Sequence, residues 1–463
     1  MSRENFGTRM GFIMMSVACA IGLGNVWLLP YRVGVYGGSV YIILFAIFLF
    51  VLSVPVLVTE FAVGRASQQS IITAHGVLTP TKPGWKAHGW LGFAGNTFLT
   101  MFYSVVVGLT LVYMIRAITG GLVGLTPDGS RDLWLATASN PVLTVGGTWA
   151  VIIFCCVCCY VGLTRGVERV GKNMMFVFFI LVVIGMLRGV TLPGAVYGLR
   201  FIFIPDWGAA ISAHGLPRLL HLTMGQAFFS LSVGIGSMTI FGSYIKKQRT
   251  LLGEAVPVAG LDITASLLCL LMIFPAAFAF GIPVAMEGGG LLFVIIPNIV
   301  NAMPGAYFWS VLFYISFFFV AVTTQLAVVE NIIAIGMDKF GWTRQKSAII
   351  NLGLLLLLVL PAALSQPGNV LSGFRPVLGM NFAGLWPFIV SDLLLPLGSV
   401  LYAVYCSHKF GWSWENFLAE ANTGDGWKIP TNLRFYYAYV IPIIALGIFF
   451  FGLFWRFVRP LLG

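Results

Sequence analysis

The chain has 463 residues, of which 59% are hydrophobic and only 9% charged, with a mean hydropathy of +0.95. So few charges cannot clothe so much apolar surface in water, which excludes a soluble globular protein and points to a membrane protein. The net charge of +11 is one that nucleic acid would attract. Its distribution follows membrane topology instead: with the N-terminus cytoplasmic, the inner connections hold roughly twice as many Lys and Arg as the outer ones, and every lysine falls inside.

Apolar stretches near the spanning length of about 20 residues recur along the whole chain. The first, 10–31, is longer than the roughly 7–15 apolar residues of a cleavable leader and is expected to stay as a span. It contains Gly22-Leu23-Gly24-Asn25. The second, 40–63, carries Glu60. The third covers 89–118 and the fourth 141–163, where Cys155, Cys156, Cys158 and Cys159 sit mid-run as small hydrophobes rather than metal ligands. The fifth, 173–190, is short. The sixth, 217–244, contains Ser232-Val233-Gly234-Ile235-Gly236-Ser237. Spans follow at 253–282 with Asp262, 306–337 with Thr323-Thr324, 346–364, 378–405 with Asp392, and 435–457. The segment from Gly288 to Pro297 reads as a short apolar piece dipping back from outside. The five histidines show no ligand spacing. The whole predicts an all-α polytopic fold of about eleven transmembrane helices in one domain, 1–463.

The two Gly-x-Gly elements open two five-helix blocks, 10–190 and 217–405, with 435–457 left as an additional helix. A single pair would serve close helix packing. Matching interruptions in two halves predict inverted repeats whose first helices unwind at mid-membrane, where broken backbone is tolerated only against protein or a polar cavity. Free N–H groups of one half-helix attract a carboxylate, and free carbonyls attract an ammonium or Na+. One break thus offers both poles a zwitterion needs, together with a cation. Glu60, Asp262 and Asp392 lie within spans, where a charge costs a few kcal/mol, with no basic residue evident at the same depth. Each must be protonated, hydrogen-bonded or bound to a cation. With Asn25, Ser230, Ser232, Thr323 and Thr324 at similar depth they offer an oxygen cage for a monovalent cation, although a Ser or Thr alone more commonly bonds its own helix.

At these residues the chain resembles the neurotransmitter:sodium symporter family, in particular its bacterial amino acid transporters. The match covers nearly the whole chain: Gly7-Thr8-Arg9, Gly22-Leu23-Gly24-Asn25-Val26-Trp27, Pro30-Tyr31, Gly37-Gly38, Pro55 through Glu60, Gly64-Arg65, Phe102-Tyr103-Ser104, Gly225-Gln226-Ala227-Phe228-Phe229-Ser230-Leu231-Ser232, Leu261-Asp262, Ile273-Phe274-Pro275 and Gly290-Leu291-Leu292-Phe293. The resemblance implies a sodium-coupled importer of a small amino acid working by alternating access. It implies a first sodium site from Ala20, Asn25, Ser230 and Asp262, completed by the substrate carboxylate. A second would use backbone oxygens of Ala18, Ile21 and Val320 with the hydroxyls of Thr323 and Thr324. Leu23, Gly24 and Tyr103 would hold the carboxylate, and carbonyls of Ala20, Phe229 and Ser232 the ammonium. Leu99, Phe229, Ile235, Thr324 and Val328 would line the side-chain pocket, with Cys19 near the amine. Glu60 would brace the unwound part of helix 6, and Arg3, Asp338 and Tyr244 would form a cytoplasmic gate.

The chain departs from the family at the outer gate, where an Arg–Asp pair is replaced by Leu28 and Asn381. Closure there is expected from packing and from Tyr103 with Phe229, unless Arg32, one turn outward, substitutes. Asp262 stands where chloride-binding members are neutral, so the resemblance implies chloride-independent transport. Ile235 replaces a bulkier aromatic residue and favours a hydrophobic or aromatic amino acid; an amine, an osmolyte or another small acid is the alternative. A hydrolase would need a Ser–His pair, HExxH or paired aspartates, none of which is placed within the spans, and repeated re-entrant filter loops of a channel are absent. The expected partners are a small-molecule substrate and the lipid bilayer, with no nucleic acid, in a monomer or homodimer at the plasma (inner) membrane.

Overall fold

The computed structural model of the chain describes residues 6–22, 24–286 and 289–459, so Arg3 and Leu23 lie outside the described residues. Among the described residues nine helices are long and apolar enough to cross a bilayer unbroken: α2 (Ser39–Ser67), α3 (Pro83–Ile118), α4 (Pro141–Val161), α5 (Leu163–Val190), α7 (Leu251–Ala279), α8 (Ala306–Phe340), α9 (Arg344–Ala363), α10 (Phe382–Ser407) and α11 (Thr431–Val458). Two interrupted helices complete the eleven. The halves α1a (Arg9–Ala20) and α1b (Gly24–Val35) meet at a 51° bend, and α6a (Leu216–Ser230) is separated from α6b (Ser237–Ser243) by residues 231–236. Each interrupted helix opens a block of five. The fifth helix is longer than its apolar run, because it begins with a π-helical turn at Leu163–Glu168.

Helix starts follow from capping chemistry. Thr8, Asn140, Thr250 and Thr343 each accept from a backbone N–H in the first turn of the helix they open, satisfying donors that no carbonyl can reach. Proline shapes the interiors. Five π-helical turns, Gly24–Leu28, Leu49–Ser53, Leu291–Ile295, Ile389–Leu394 and Tyr436–Val440, are each followed two residues later by a proline: Pro30, Pro55, Pro297, Pro396 and Pro442. A proline ring displaces the carbonyl four residues back and offers no N–H to it. Widening that turn by one residue accommodates both effects. The freed carbonyl of Val51, four before Pro55, takes its hydrogen bond from Tyr436 on α11.

Burial orders the layers. In α8, 78% of the most apolar stretch is buried, against 28% in α5 and in α11. Helix α8 is therefore the central post and the other two face lipid. The short helix Leu291–Ala302 packs beneath Trp134, whose ring stacks 4.7 Å from Phe293, and accepts a bond from Tyr314 Oη at Leu292 O, 2.6 Å. The four clustered cysteines of α4 are buried free thiols.

Candidate substrate and ion site

The α1 break leaves main-chain groups without helical partners. The ladder runs as far as Ile21 N, which bonds Val17 O at 2.6 Å. Beyond it Gly22 N turns to the Asn25 side-chain oxygen at 3.4 Å and Asn25 N to Gly22 O at 3.1 Å. Neither N–H reaches Ala18 O or Ile21 O, the carbonyls an unbroken helix would give them. Those two oxygens converge instead on α8: Thr324 Oγ1 lies 2.8 Å from Ala18 O, 2.9 Å from Ile21 O and 3.1 Å from Val320 O. Thr323 Oγ1 sits 2.9 Å from Val320 O and 3.3 Å from Met175 Sδ on α5. One hydroxyl proton cannot serve three carbonyls, so this oxygen cluster is short of positive charge.

A second polar cluster lies on the other face of the break. Asn25 Nδ2 lies 2.9 Å from Asp262 Oδ1, 3.0 Å from Ser230 Oγ and 2.8 Å from Ser266 Oγ, three acceptors around its two N–H groups, and Ser230 Oγ donates to Asp262 Oδ2 at 2.7 Å. All four side chains are buried, and no basic side chain is among these partners. Ser266 was not among the residues singled out from sequence; its place one helical turn after Asp262 on the same face was the available signal.

The two Gly-x-Gly elements work by different physics. In α1 the glycines are needed for close approach: a Cβ on Gly22 would lie 2.9 Å from Tyr103 Oη, and one on Gly24 2.6 Å from the Phe229 ring. In α6 they are needed for conformation, with Gly234 at φ 110° and Gly236 at 74°, while Ser232 adopts φ 50°, a region costly for residues with a Cβ. The exposed backbone of this linker is held from outside. Glu60 accepts from Gly234 N (2.5 Å) and Met238 N (3.0 Å), Asn96 donates to Ile235 O (2.9 Å), and Asn331 donates to Ser237 O (2.8 Å).

Between the breaks lies a narrow cavity lined by Ala20, Gly22, Gly24, Tyr103, Phe229, Ser232 and Thr324 and by Leu99, Ile235, Val390 and Leu395. Cys19 stands behind this lining, its carbonyl accepting from Ser232 Oγ at 3.1 Å. Ser230 faces Asp262, and Val328, buried one turn beyond Thr324, lies off the lining. Val390 and Leu395, absent from the sequence-derived set, lie within and just after the π turn of α10. Phe229 and Tyr103 separate this cavity from a vestibule of about 500 Å³, which includes Trp27, Leu28, Arg32, Phe388, Asp392 and Arg456.

The opposite end is held together by packing and ion pairs among the described residues. Phe6 packs on Tyr244 (5.5 Å) and Phe241 (6.1 Å), Gly7 N bonds Glu168 at 2.8 Å, and Arg9 pairs with Glu254 at 3.0 Å. Tyr244 Oη donates to Glu330 at 2.8 Å, and the same carboxylate, fully buried, is held by Arg344 at 2.7 Å. Asp338 accepts from Ser70 N at 2.6 Å. Glu330 and Arg344 were not anticipated.

Asn381, at one of the two gate positions, caps α10, accepting from Gly384 N and donating to the carbonyls of Ser365 and Ser372. Two expectations need correction. Arg32 does not hydrogen-bond to α10, since its guanidinium bonds Gln226 (3.0 Å) and Leu222 O (3.3 Å) on α6a. Asp392 has a basic partner, Arg456 at 3.4 Å.

Two broken helices enclosing a small cavity at the foot of a vestibule, with oxygen clusters on either flank, define a membrane transporter rather than an enzyme. The chain belongs to the sodium:neurotransmitter symporter family, which it matches over residues 3–126 and 143–457. It is 31% identical over 447 residues to the uncharacterized sodium-dependent transporter YhdH of Bacillus subtilis, covering 96% of each chain. To a sodium-dependent transporter of Haemophilus influenzae it is 28% identical over 462 residues, 98% of each chain. Its fold matches the crystal structure of MhsT in complex with L-phenylalanine with a TM-score of 0.86 and 32% identity, over 97% of this chain and 99% of that one. The chain is thus a sodium-dependent, multi-pass membrane transporter.

Proposed function

We propose that this transporter is a chloride-independent symporter that imports an amino acid with a medium or large apolar side chain, using two Na+ ions. The observation that carries the reading is the composition of the cavity between the two breaks. Main chain from the α1 break with Tyr103, Ser232 and Thr324 supplies polar groups, Leu99, Ile235, Val390 and Leu395 supply apolar ones, and no acidic side chain is among its lining residues. A zwitterion with an apolar tail matches that polarity, whereas a bare amine would meet no counter-charge. The L-phenylalanine in MhsT supports the same class. Na+ would take the Ala18–Ile21–Val320 carbonyls with Thr323 and Thr324, and a second ion the Asn25–Ser230–Asp262 cluster with Ala20 O and the substrate carboxylate. There the Asn25 amide would turn its oxygen toward the ion. Asp262 supplies a fixed negative charge that makes chloride unnecessary. The vestibule then faces outside and the Phe6–Tyr244 end the cytoplasm, in a plasma membrane, with residues 10–190 and 217–405 as the repeats that rock against each other.

A second reading, transport of a different small solute, is favoured by two features: the absence of a charged pair at Leu28 and Asn381, and relatives titled as GABA and serotonin transporters, at 25% and 23% identity. Purified protein should bind labelled L-phenylalanine only in sodium, with competition by other apolar amino acids. Competition by amines or osmolytes and by no amino acid would establish the second reading instead. Within the first, Tyr103→Phe should weaken binding by about 1–3 kcal/mol, because a buried carboxylate loses its hydroxyl donor; unchanged affinity by scintillation proximity would remove Tyr103 from the site.

A further inference from the structure

We propose that the outer closure of this transporter runs through the last turns of α11, which clasp α6a to α10 at the vestibule. This rests on reading the vestibule as the substrate's entry. Neither Leu28 nor Asn381 brings a charge there, and Arg32, which also lines the vestibule, hydrogen-bonds to α6a. The cation that pairs with the α10 carboxylate comes from the C-terminal helix. Arg456 Nη1 lies 3.4 Å from Asp392 Oδ2 on α10, Nη2 lies 2.9 Å from Met380 Sδ, and the guanidinium stands over the Phe388 ring at 4.6 Å. The neighbouring Trp455 turns to the other wall, where the Arg218 guanidinium of α6a lies over its ring at 4.8 Å. One turn earlier Phe451 meets His221 of α6a at 5.0 Å. Residues 451–456 therefore touch both walls, and α6a carries the Phe229 that covers the inner cavity.

An isolated surface ion pair contributes little. Position distinguishes this one: Asp392 and Arg456 both line the vestibule, about two-fifths exposed, and they join elements bearing opposite walls. Movement of α6a away from α10 must part either the Trp455 or the Asp392 contact. Asp392 is the residue whose carbonyl Pro396 displaces, so the π turn that follows from that proline also sets where its carboxylate stands.

The test uses purified full-length protein with a reporter cysteine at the vestibule residue Ala383 (Ala383→Cys), all seven native cysteines being buried. In sodium buffer, D392N and R456Q should each speed labelling by a membrane-impermeant maleimide about two- to fivefold. The charge swap D392R/R456D should return the rate to that of the parent. Added choline chloride at constant sodium should speed labelling of the parent but not of R456Q, as screening requires. Release of bound L-phenylalanine should accelerate in the same order. Unchanged labelling in R456Q, a swap as fast as the single variants, or no salt response in the parent would overturn the clasp. Labelling needs no bound amino acid, so a failure of L-phenylalanine to bind would count against the substrate reading and leave the clasp to be judged separately.

Discussion

Replacing Thr323 with Val and Thr324 with Ala together is expected to abolish sodium-dependent substrate binding. Thr324 Oγ1 stands within 3.1 Å of three carbonyl oxygens, two of them released by the α1 break. Converging carbonyls repel one another, and what holds them together is a donor or a cation. Removing both hydroxyls leaves the oxygens of Ala18, Ile21 and Val320 with neither the donor nor two of the ion's proposed ligands. Interactions with a charged partner are worth about 1.5–3 kcal/mol each, so the pair should lower sodium affinity by about 3 kcal/mol or more, at least 100-fold. Sodium titration of labelled L-phenylalanine binding measures this, with gel filtration and circular dichroism verifying the fold. An unchanged half-saturating sodium concentration would remove the second ion site.

Asp262→Asn should have the next largest effect. Its carboxylate accepts from both Asn25 and Ser230, in a place where no basic side chain balances it. An asparagine keeps one acceptor but turns an NH2 toward a donor, and the fixed negative charge disappears. Sodium affinity should fall about 10-fold or more, and transport should become responsive to chloride, because an anion can then supply the missing charge. Uptake into proteoliposomes with chloride or gluconate as the anion decides it. Unaltered sodium dependence together with indifference to chloride would count against Asp262.

The eleven spans were legible because spanning length and apolarity are properties of single segments. The pairing of two broken helices was legible because glycine spacing repeats at the head of each five-helix block. What escaped belongs to groups distant in sequence or to helices with interrupted period. Arg344 reaches Glu330 across the α8–α9 turn, and Arg456 reaches Asp392 from 64 residues away; neither pairing has a local signature. Val390 lies within a π turn and Leu395 just after it, where counting by 3.6 assigns the wrong face. Asn381, singled out because it stands where the family has a gate acid, also caps α10 through Gly384, Ser365 and Ser372, a role common for Asn before an apolar helix.

The π turns that precede Pro30, Pro55, Pro297, Pro396 and Pro442 have a consequence for how such a chain can change length. Dropping one residue from an ordinary spanning helix rotates everything beyond it by about 100° and exchanges lipid-facing for core-facing side chains. A π turn already holds one residue in excess, so a single deletion there would keep both flanks in phase, the proline two residues on then kinking the tightened turn. Natural variation in helix length within such chains should concentrate at these five places.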